Sequence, residues 1–221
     1  MPYVKVGSEN SGDIELYYED HGSGKPVVLI HGYPLSGASW EKQIPVLLNG
    51  GHRVITYDRR GFGKSSQPTT GFNYDTFAED LHKLIAHLNL QDLALVGFSM
   101  GGGEIARYLG KYGSKGISKA VIIGGVPPFL LKTEDNQEGV DARVFEGIQR
   151  AITADRYVFF SEFLKTSTTP MCFWASALVR RLCKPVGTSP RAHRRRRAWH
   201  LFLPGMKTSG RTWLAWMFRR W

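Results

Sequence analysis

Leu93-Ala-Leu-Val-Gly97-Phe98-Ser99-Met100-Gly101-Gly102-Gly103-Glu104-Ile105-Ala106 is the stretch on which the reading of this chain turns. Leu93 to Val96 is a short apolar run of the kind that forms a buried parallel strand. It breaks into Gly-x-Ser-x-Gly and leaves as a helix from Glu104 through Tyr108 and beyond. A serine on so sharp a strand-to-helix turn leaves no space for side chains beside it, which accounts for Gly97 and Gly101. The turn lifts the Ser99 hydroxyl out of the sheet edge at a helix N-terminus, where backbone amides stabilise negative charge. Ser99 is the candidate nucleophile. The competing reading is a glycine-rich turn that happens to carry a structural serine.

Outward from the elbow, strands and helices alternate. Pro2–Gly7 and Ile14–His21 read as a strand pair joined by the polar turn Ser8–Asp13. Val27-Val-Leu-Ile30 is a continuous apolar run, the pattern of a strand covered on both faces, and His31-Gly32-Tyr33-Pro34 follows at its carboxyl end. Ser39 is expected to cap a helix from Trp40 to about Leu48, stopped by Asn49-Gly50-Gly51. Arg53–Tyr57 is the next strand and runs into Asp58-Arg59-Arg60-Gly61-Phe62-Gly63-Lys64-Ser65. Phe77, Leu81, Leu84, Ile85 and Leu88 recur at helical spacing, so Asp75–Leu88 is expected to be an amphipathic helix. The elbow helix should reach about Tyr112, and Ala120–Ile123 reads as another buried strand. Such alternation implies an α/β protein with a doubly wound, mostly parallel sheet. In these sheets functional groups gather at the carboxyl ends of strands, where His31, Asp58 and Ser99 all fall.

Composition divides the 221 residues unevenly. The whole chain carries 29 Lys and Arg against 19 Asp and Glu, but none of the acids lies beyond Glu162. Residues 1–162 hold 16 of the basic residues and all 19 acids, a net −3, and the remainder holds 13 basic residues and no acid. Cys172, Cys183 and five of the six tryptophans also fall in that remainder. Two cysteines so placed supply neither a disulfide framework nor a metal-ligand spacing. The first residues lack the pattern of a secretory signal, and no apolar run approaches the ~18 residues that a membrane span needs. The expected compartment is the cytoplasm, with no membrane partner.

Four motifs carry a resemblance: His31-Gly-Tyr-Pro, Tyr57-Asp-Arg-Arg-Gly-Phe-Gly-Lys-Ser65, Gly97-Phe-Ser-Met-Gly-Gly102 and Val126-Pro-Pro128. In this order and spacing, from about Met1 to Lys165, the chain resembles the α/β-hydrolase fold. More narrowly it resembles the cofactor-free, non-haem chloroperoxidase branch, also described as perhydrolases and arylesterases. The resemblance implies Ser99 as nucleophile and the backbone amides of Tyr33 and Met100 as oxyanion hole. It implies no metal and no cofactor. The substrates would be a small acyl compound or carboxylic acid, with hydrogen peroxide and halide for peracid chemistry, or water for ester hydrolysis. Dehalogenase and epoxide hydrolase relatives place a carboxylate where Ser99 stands and so fit less well. His31 is expected to hold its loop by hydrogen bonding, shaping the site with Gly32, Gly97 and Gly101, and Asp58-Arg59-Arg60 to anchor turns. His82 and His87 fall on an ordinary helix and need no role.

The order in this superfamily is nucleophile, then acid, then histidine. A serine needs a histidine to take its proton, and that histidine needs an acid to orient it. After Ser99 the histidines are His193 and His200, and no acid follows Glu162. Neither histidine lies in a family-like context, so no acid and no base is assigned, and the fold reads as C-terminally incomplete. The tail admits a simple account. Thr166-Ser-Thr-Thr-Pro-Met-Cys-Phe-Trp174 can be encoded so that skipping two bases yields Phe-Tyr-Asn-Thr-Asp-Val-Leu-Leu, which is similar to the family's continuation. Met171 and Trp174 have single codons, and the agreement runs through them. Residues 1–165 therefore read as the hydrolase core and 166–221 as a basic, Trp- and Arg-rich tail translated out of frame and expected to pack poorly. The rival reading makes Arg191–Arg197 and Trp213–Trp221 a polyanion-binding patch on a non-catalytic remnant. Charge alone would give such binding, without specific nucleic-acid recognition. The oligomeric state is left open.

Overall fold

The computed structural model describes residues 2–126 and 129–182, with side chains through residue 165. Six strands form one sheet: β1 (Tyr3–Glu9), β2 (Gly12–His21), β3 (Lys25–Ile30), β4 (His52–Tyr57), β5 (Leu93–Phe98) and β6 (Ile117–Ile123), in the order β1-β2-β4-β3-β5-β6. β1 pairs with β2 and β2 with β4 antiparallel, whereas the β3–β4, β3–β5 and β5–β6 pairs are parallel. The helices are α1 (Ile44–Asn49), α2 (Tyr74–His87), α3 (Met100–Tyr112) and α4 (Ala142–Leu182). The sheet is mostly parallel with helices on both faces, as the alternation of apolar runs required.

The period-two geometry of strands, with both sheet faces covered, explains why the runs Val27–Ile30 and Leu93–Val96 carry no polar positions. Val28, Ile30, Ile55, Tyr57 and Leu95 pack on one face with Leu81 and Leu84 of α2 and with Ile105 and Tyr108 of α3. Val27, Leu29, Val54, Ala94 and Val96 pack on the other with Trp40 and Leu47. Each fully buried aliphatic side chain contributes about 1.5–3 kcal/mol, so two covered faces supply a real core on either side of the sheet. α2 begins at Tyr74, one residue before the expected Asp75, with the Asn73 side chain accepting a hydrogen bond from the Thr76 amide at 2.9 Å.

Three expectations are corrected. Ser39 does not cap a helix: it lies inside a 3-10 turn, Gly37–Trp40, and α1 starts only at Ile44. Pro45 explains the late start, because a proline is accommodated in a first helical turn, where its missing N–H costs nothing, but not further in. The elbow helix begins at Met100 rather than Glu104, directly after Ser99. The strand read as Ala120–Ile123 is longer, and it is not buried: Ser118, Lys119, Ala120 and Ile122 are exposed, Ile122 by 51%.

α4 is two helices joined at Asp155, whose backbone is extended (φ −157°, ψ 102°). The Asp155 carboxylate accepts from the amides of Tyr157 and Val158 at 2.9 and 3.0 Å and so starts the second helix. That helix continues past the composition break to Leu182. His193, His200, Cys183 and the basic run Arg191–Arg197 lie outside the described residues. Among the described residues no helix is long and apolar enough to cross a membrane.

Candidate active site

Ser99 occupies the turn between β5 and α3 with φ 51° and ψ −115°. Positive φ is unfavourable for any residue with a Cβ, and a serine persists there only when its surroundings hold it. They do. The Ser99 amide donates to the Ile123 carbonyl, and the Ser99 carbonyl accepts from the amides of Gly102 and Val126, all at 2.9 Å. A Cβ on Gly97 would strike the Gly101 carbonyl and come within 2.8 Å of the Gly102 nitrogen. A Cβ on Gly101 would strike the Ile30 carbonyl oxygen at the end of β3. Both glycines are therefore demanded by close backbone approach.

The loop after β3 lies against the elbow. A Cβ on Gly32 would fall 2.6 Å from the Phe98 ring and 3.0 Å from the Ser99 Cβ. Tyr33 is the next residue of that loop, and Met100, directly after Ser99, is the first residue of α3. First-turn amides of a helix have no intrahelical acceptor. The Tyr33–Pro34 peptide is cis. The Tyr33 ring is edge-on to Phe62 (6.1 Å between centroids), Phe160 (5.9 Å) and Phe163 (6.4 Å), so the second half of α4 closes an aromatic wall over this loop. Burial there pushes the Tyr33 hydroxyl up to about 12.

His31 is fully buried, and its two ring nitrogens are both engaged. The Arg59 amide donates to Nε2 at 3.1 Å, which makes Nε2 the acceptor. Nδ1 consequently carries the proton and donates to the Gly32 carbonyl at 2.9 Å. Burial, then the neighbouring Arg59 charge, holds its pKa well below 6.5. His31 is a neutral strut for the loop and has no nitrogen left to act as a base. Asp58 is likewise committed, accepting from the amides of Gly37 and Lys64 at 2.7 Å each. It anchors two turns, as read from sequence.

A buried charge network that the motifs did not reveal ties these pieces together. Arg59 Nε donates to Glu104 Oε2 at 2.7 Å, and Arg59 Nη2 donates to the His31 carbonyl at 3.0 Å. Tyr57 donates its hydroxyl to Glu104 Oε1. Glu104 has no exposed surface; burial raises its carboxyl pKa, and the Arg59 charge opposes that. The network joins α3, the end of β4 and the Gly32–Tyr33 loop. The sequence signal for it was a single acid, Glu104, among Gly and apolar residues of a helix whose other face had to be buried. Arg60 makes a separate buried pair with Asp80, two contacts of 2.6 Å.

The other described histidines are engaged elsewhere. His21 contacts Glu19, His52 the Lys25 carbonyl, His82 stacks on Tyr112 at 4.1 Å and His87 is edge-on to Tyr18. Among the described residues the elbow and its flanking amides are assembled without an imidazole in position to take a proton from Ser99.

Known proteins resemble this chain in sequence and in shape. The model of the alpha/beta hydrolase fold family matches residues 25–171. A putative non-heme chloroperoxidase of Synechocystis is 66% identical over 165 residues, which is 75% of this chain and 60% of that protein. A bifunctional esterase/perhydrolase of Acinetobacter calcoaceticus is 37% identical over 151 residues, 67% of this chain and 55% of that protein. The crystal structure of a bromoperoxidase from Bacillus anthracis superposes with a TM-score of 0.69 at 57% identity, covering 74% of this chain and 58% of that one. The chain thus spans about three-fifths of the length of the relatives it matches.

Proposed function

The chain belongs to the alpha/beta hydrolase fold family, and from that premise we propose that its site is built for acyl transfer through Ser99. The observation that carries this is the strained Ser99 backbone, locked between two glycines that tolerate no Cβ and beside a loop so close that a Cβ on Gly32 would fall 3.0 Å from the Ser99 Cβ. Such strain is kept where a hydroxyl must be presented. Ser99 Oγ would attack an acyl carbonyl while the amides of Tyr33 and Met100 receive the developing oxyanion. The leaving group departs and an acyl-serine remains. Hydrogen peroxide attacking that ester would release a peracid and regenerate the serine; water would release the carboxylic acid. The peracid then oxidises halide in solution. Relatives named chloroperoxidase and esterase/perhydrolase support both outcomes on one site.

Ser99 loses its proton in the first step, and the described residues offer no acceptor for it. We propose that Thr166–Trp221 is read out of frame, and that the acid and the histidine belong to the displaced text. Supporting this, the Synechocystis match takes in 165 residues, 75% of this chain, and residues 166–221 hold no acid. The chain as it stands should therefore turn over an activated aryl acetate, or brominate a dye with peroxide, acetate and bromide, no faster than its Ser99→Ala variant. Oxyanion stabilisation alone leaves roughly 10³–10⁴-fold over water when triad members are absent. Resequencing the gene and assaying a frame-restored protein is the test. Robust Ser99-dependent turnover by the chain itself would overturn the out-of-frame reading, and a frame-restored protein without turnover would overturn the acyl-transfer reading.

A further inference from the structure

Two polar groups behind the elbow are enclosed and without a hydrogen-bond partner among the described residues: Arg59 Nη1 and the Tyr74 hydroxyl. Each residue is only 1% exposed, so bulk solvent answers neither. The rest of the Arg59 guanidinium is engaged, Nε by Glu104 and Nη2 by the His31 carbonyl. Shared neighbours put the two orphaned groups in one place. Tyr74 is edge-on to Phe77 at 6.3 Å between centroids, and the Arg59 Cζ lies 5.1 Å from the centroid of that same ring. The hydroxyl also lies against α3: a Cβ on Gly103 would fall 2.5 Å from its oxygen, and the next residue, Glu104, holds Arg59. The Arg59 charge reaches the Tyr74 hydroxyl, pulling its pKa down against the larger upward push of burial. Leaving a buried donor unpaired is costly, and more so for a charged one, which is why nearly all such groups in folded proteins find a partner. The face of Phe77 meets part of the guanidinium's need. It does nothing for the hydroxyl.

We propose that Arg59 Nη1 and the Tyr74 hydroxyl hold one enclosed water molecule between them, a binding site built into the back of the elbow. It stands whether or not Ser99 performs acyl transfer. Charge decides the class of occupant. The Arg59 and Glu104 charges already cancel across a 2.6 Å contact, and burial keeps the Tyr74 hydroxyl protonated. A halide or other anion would bring a net charge into an electrically balanced interior, which is strongly disfavoured. A neutral hydroxylic molecule brings none. Water accepts from the guanidinium, accepts from or donates to the phenol, and has a proton left for a carbonyl. The Gly103 Cβ that would crowd the hydroxyl would also strike the Val126 carbonyl oxygen, so the two oxygens flank one point beside α3. With Val126 the water reaches about three partners, the usual complement of an enclosed one. The position has a consequence for the turn it backs. The Val126 amide is bonded to the Ser99 carbonyl, so the water ties α2 and the end of β4 to the segment that holds the serine.

The test uses the full chain in three ways. A crystal structure at a resolution that shows ordered water, from crystals grown with bromide, should place a water oxygen within about 2.7–3.2 Å of both Arg59 Nη1 and Tyr74 Oη. In solution, the Tyr74 hydroxyl proton, assigned by its loss in Tyr74→Phe, should cross-relax with a long-lived water in NMR spectra. Tyr74→Phe also reads a sign, through urea midpoints at an unchanged slope. A hydroxyl that is buried and unpaired is removed with a gain in stability. A hydroxyl bonded to an enclosed water is removed with a loss, here about tenfold in the folding equilibrium. A Tyr74→Phe chain more stable than its parent would therefore overturn the proposal. So would a direct hydrogen bond between Arg59 Nη1 and Tyr74 Oη, an anomalous bromide peak at the site, a site without density, or a Tyr74 hydroxyl proton that shows no contact with water.

Discussion

Gly101 shows how tightly single residues are constrained at the elbow. Any Cβ there runs into the Ile30 carbonyl, which is backbone and cannot swing aside. Gly101→Ala should destabilise the chain by about 2 kcal/mol or more, read as a shift in the urea midpoint with an unchanged slope. Glu104→Gln should cost on the order of 3 kcal/mol, because it leaves the Arg59 guanidinium buried without its counter-charge, and chemical denaturation reads that loss. His31 gives the pH dependence. Its folded-state pKa lies well below 6.5, so above pH 6.5 the ring is neutral in both states and its full contribution is present. Below pH 6.5 the unfolded chain takes up a proton that the folded chain refuses, and stability falls as pH falls. Urea midpoints from pH 8 to pH 5 should decline accordingly, while the His31 ring stays neutral by NMR until the chain unfolds. The motif spacing told Gly97, Ser99 and Gly101 apart from ordinary turn residues because a steric demand has a residue-type signature. The pairing of Glu104 with Arg59 left no such signature, since a buried ion pair is a relation between positions 45 apart.

Among the elements, those with a long clean period were legible and those set by one local constraint were not. α2 differs from its expected span by a residue at each end, because five apolar positions and the Asn73 cap fix it. The helix expected from Trp40 failed on Pro45 and on a 3-10 turn that Ser39 stabilises by donating to the Ser36 carbonyl at 2.7 Å. β6 was legible as a strand but not as an edge, for exposure depends on what lies beside it. The break in α4 has a checkable cause. Asp155 supplies the cap that starts the helix carrying Phe160 and Phe163 to Tyr33. Asp155→Ala should cost about 1 kcal/mol and loosen that aromatic wall. Near-UV circular dichroism should weaken while the far-UV signal stays close to that of the parent chain.

At the scale of the whole molecule, charge separates what sequence order joins. Residues 1–162 are net −3 and the following 59 carry 13 basic side chains, so the two regions should respond oppositely to polyanions. Heparin retention is expected to fall steeply with salt and to weaken when the arginines of Arg194–Arg197 are replaced, with no effect on the elbow. Retention indifferent to both salt and those replacements would show that the binding has another origin. The architecture of the sheet was read correctly from alternation alone, and the position of the serine followed from it. What alternation could not supply was the partner for that serine, because a triad is assembled from loops far apart in the chain. One further consequence follows from the hydrogen bonds that fix the elbow, which among the described residues reach no further along the sequence than Val126. During synthesis the serine can thus take up its strained posture once little more than the first half of the polypeptide has left the ribosome, before any later segment exists to use it. The translating ribosome, and not the finished chain, is where this turn is first held in shape.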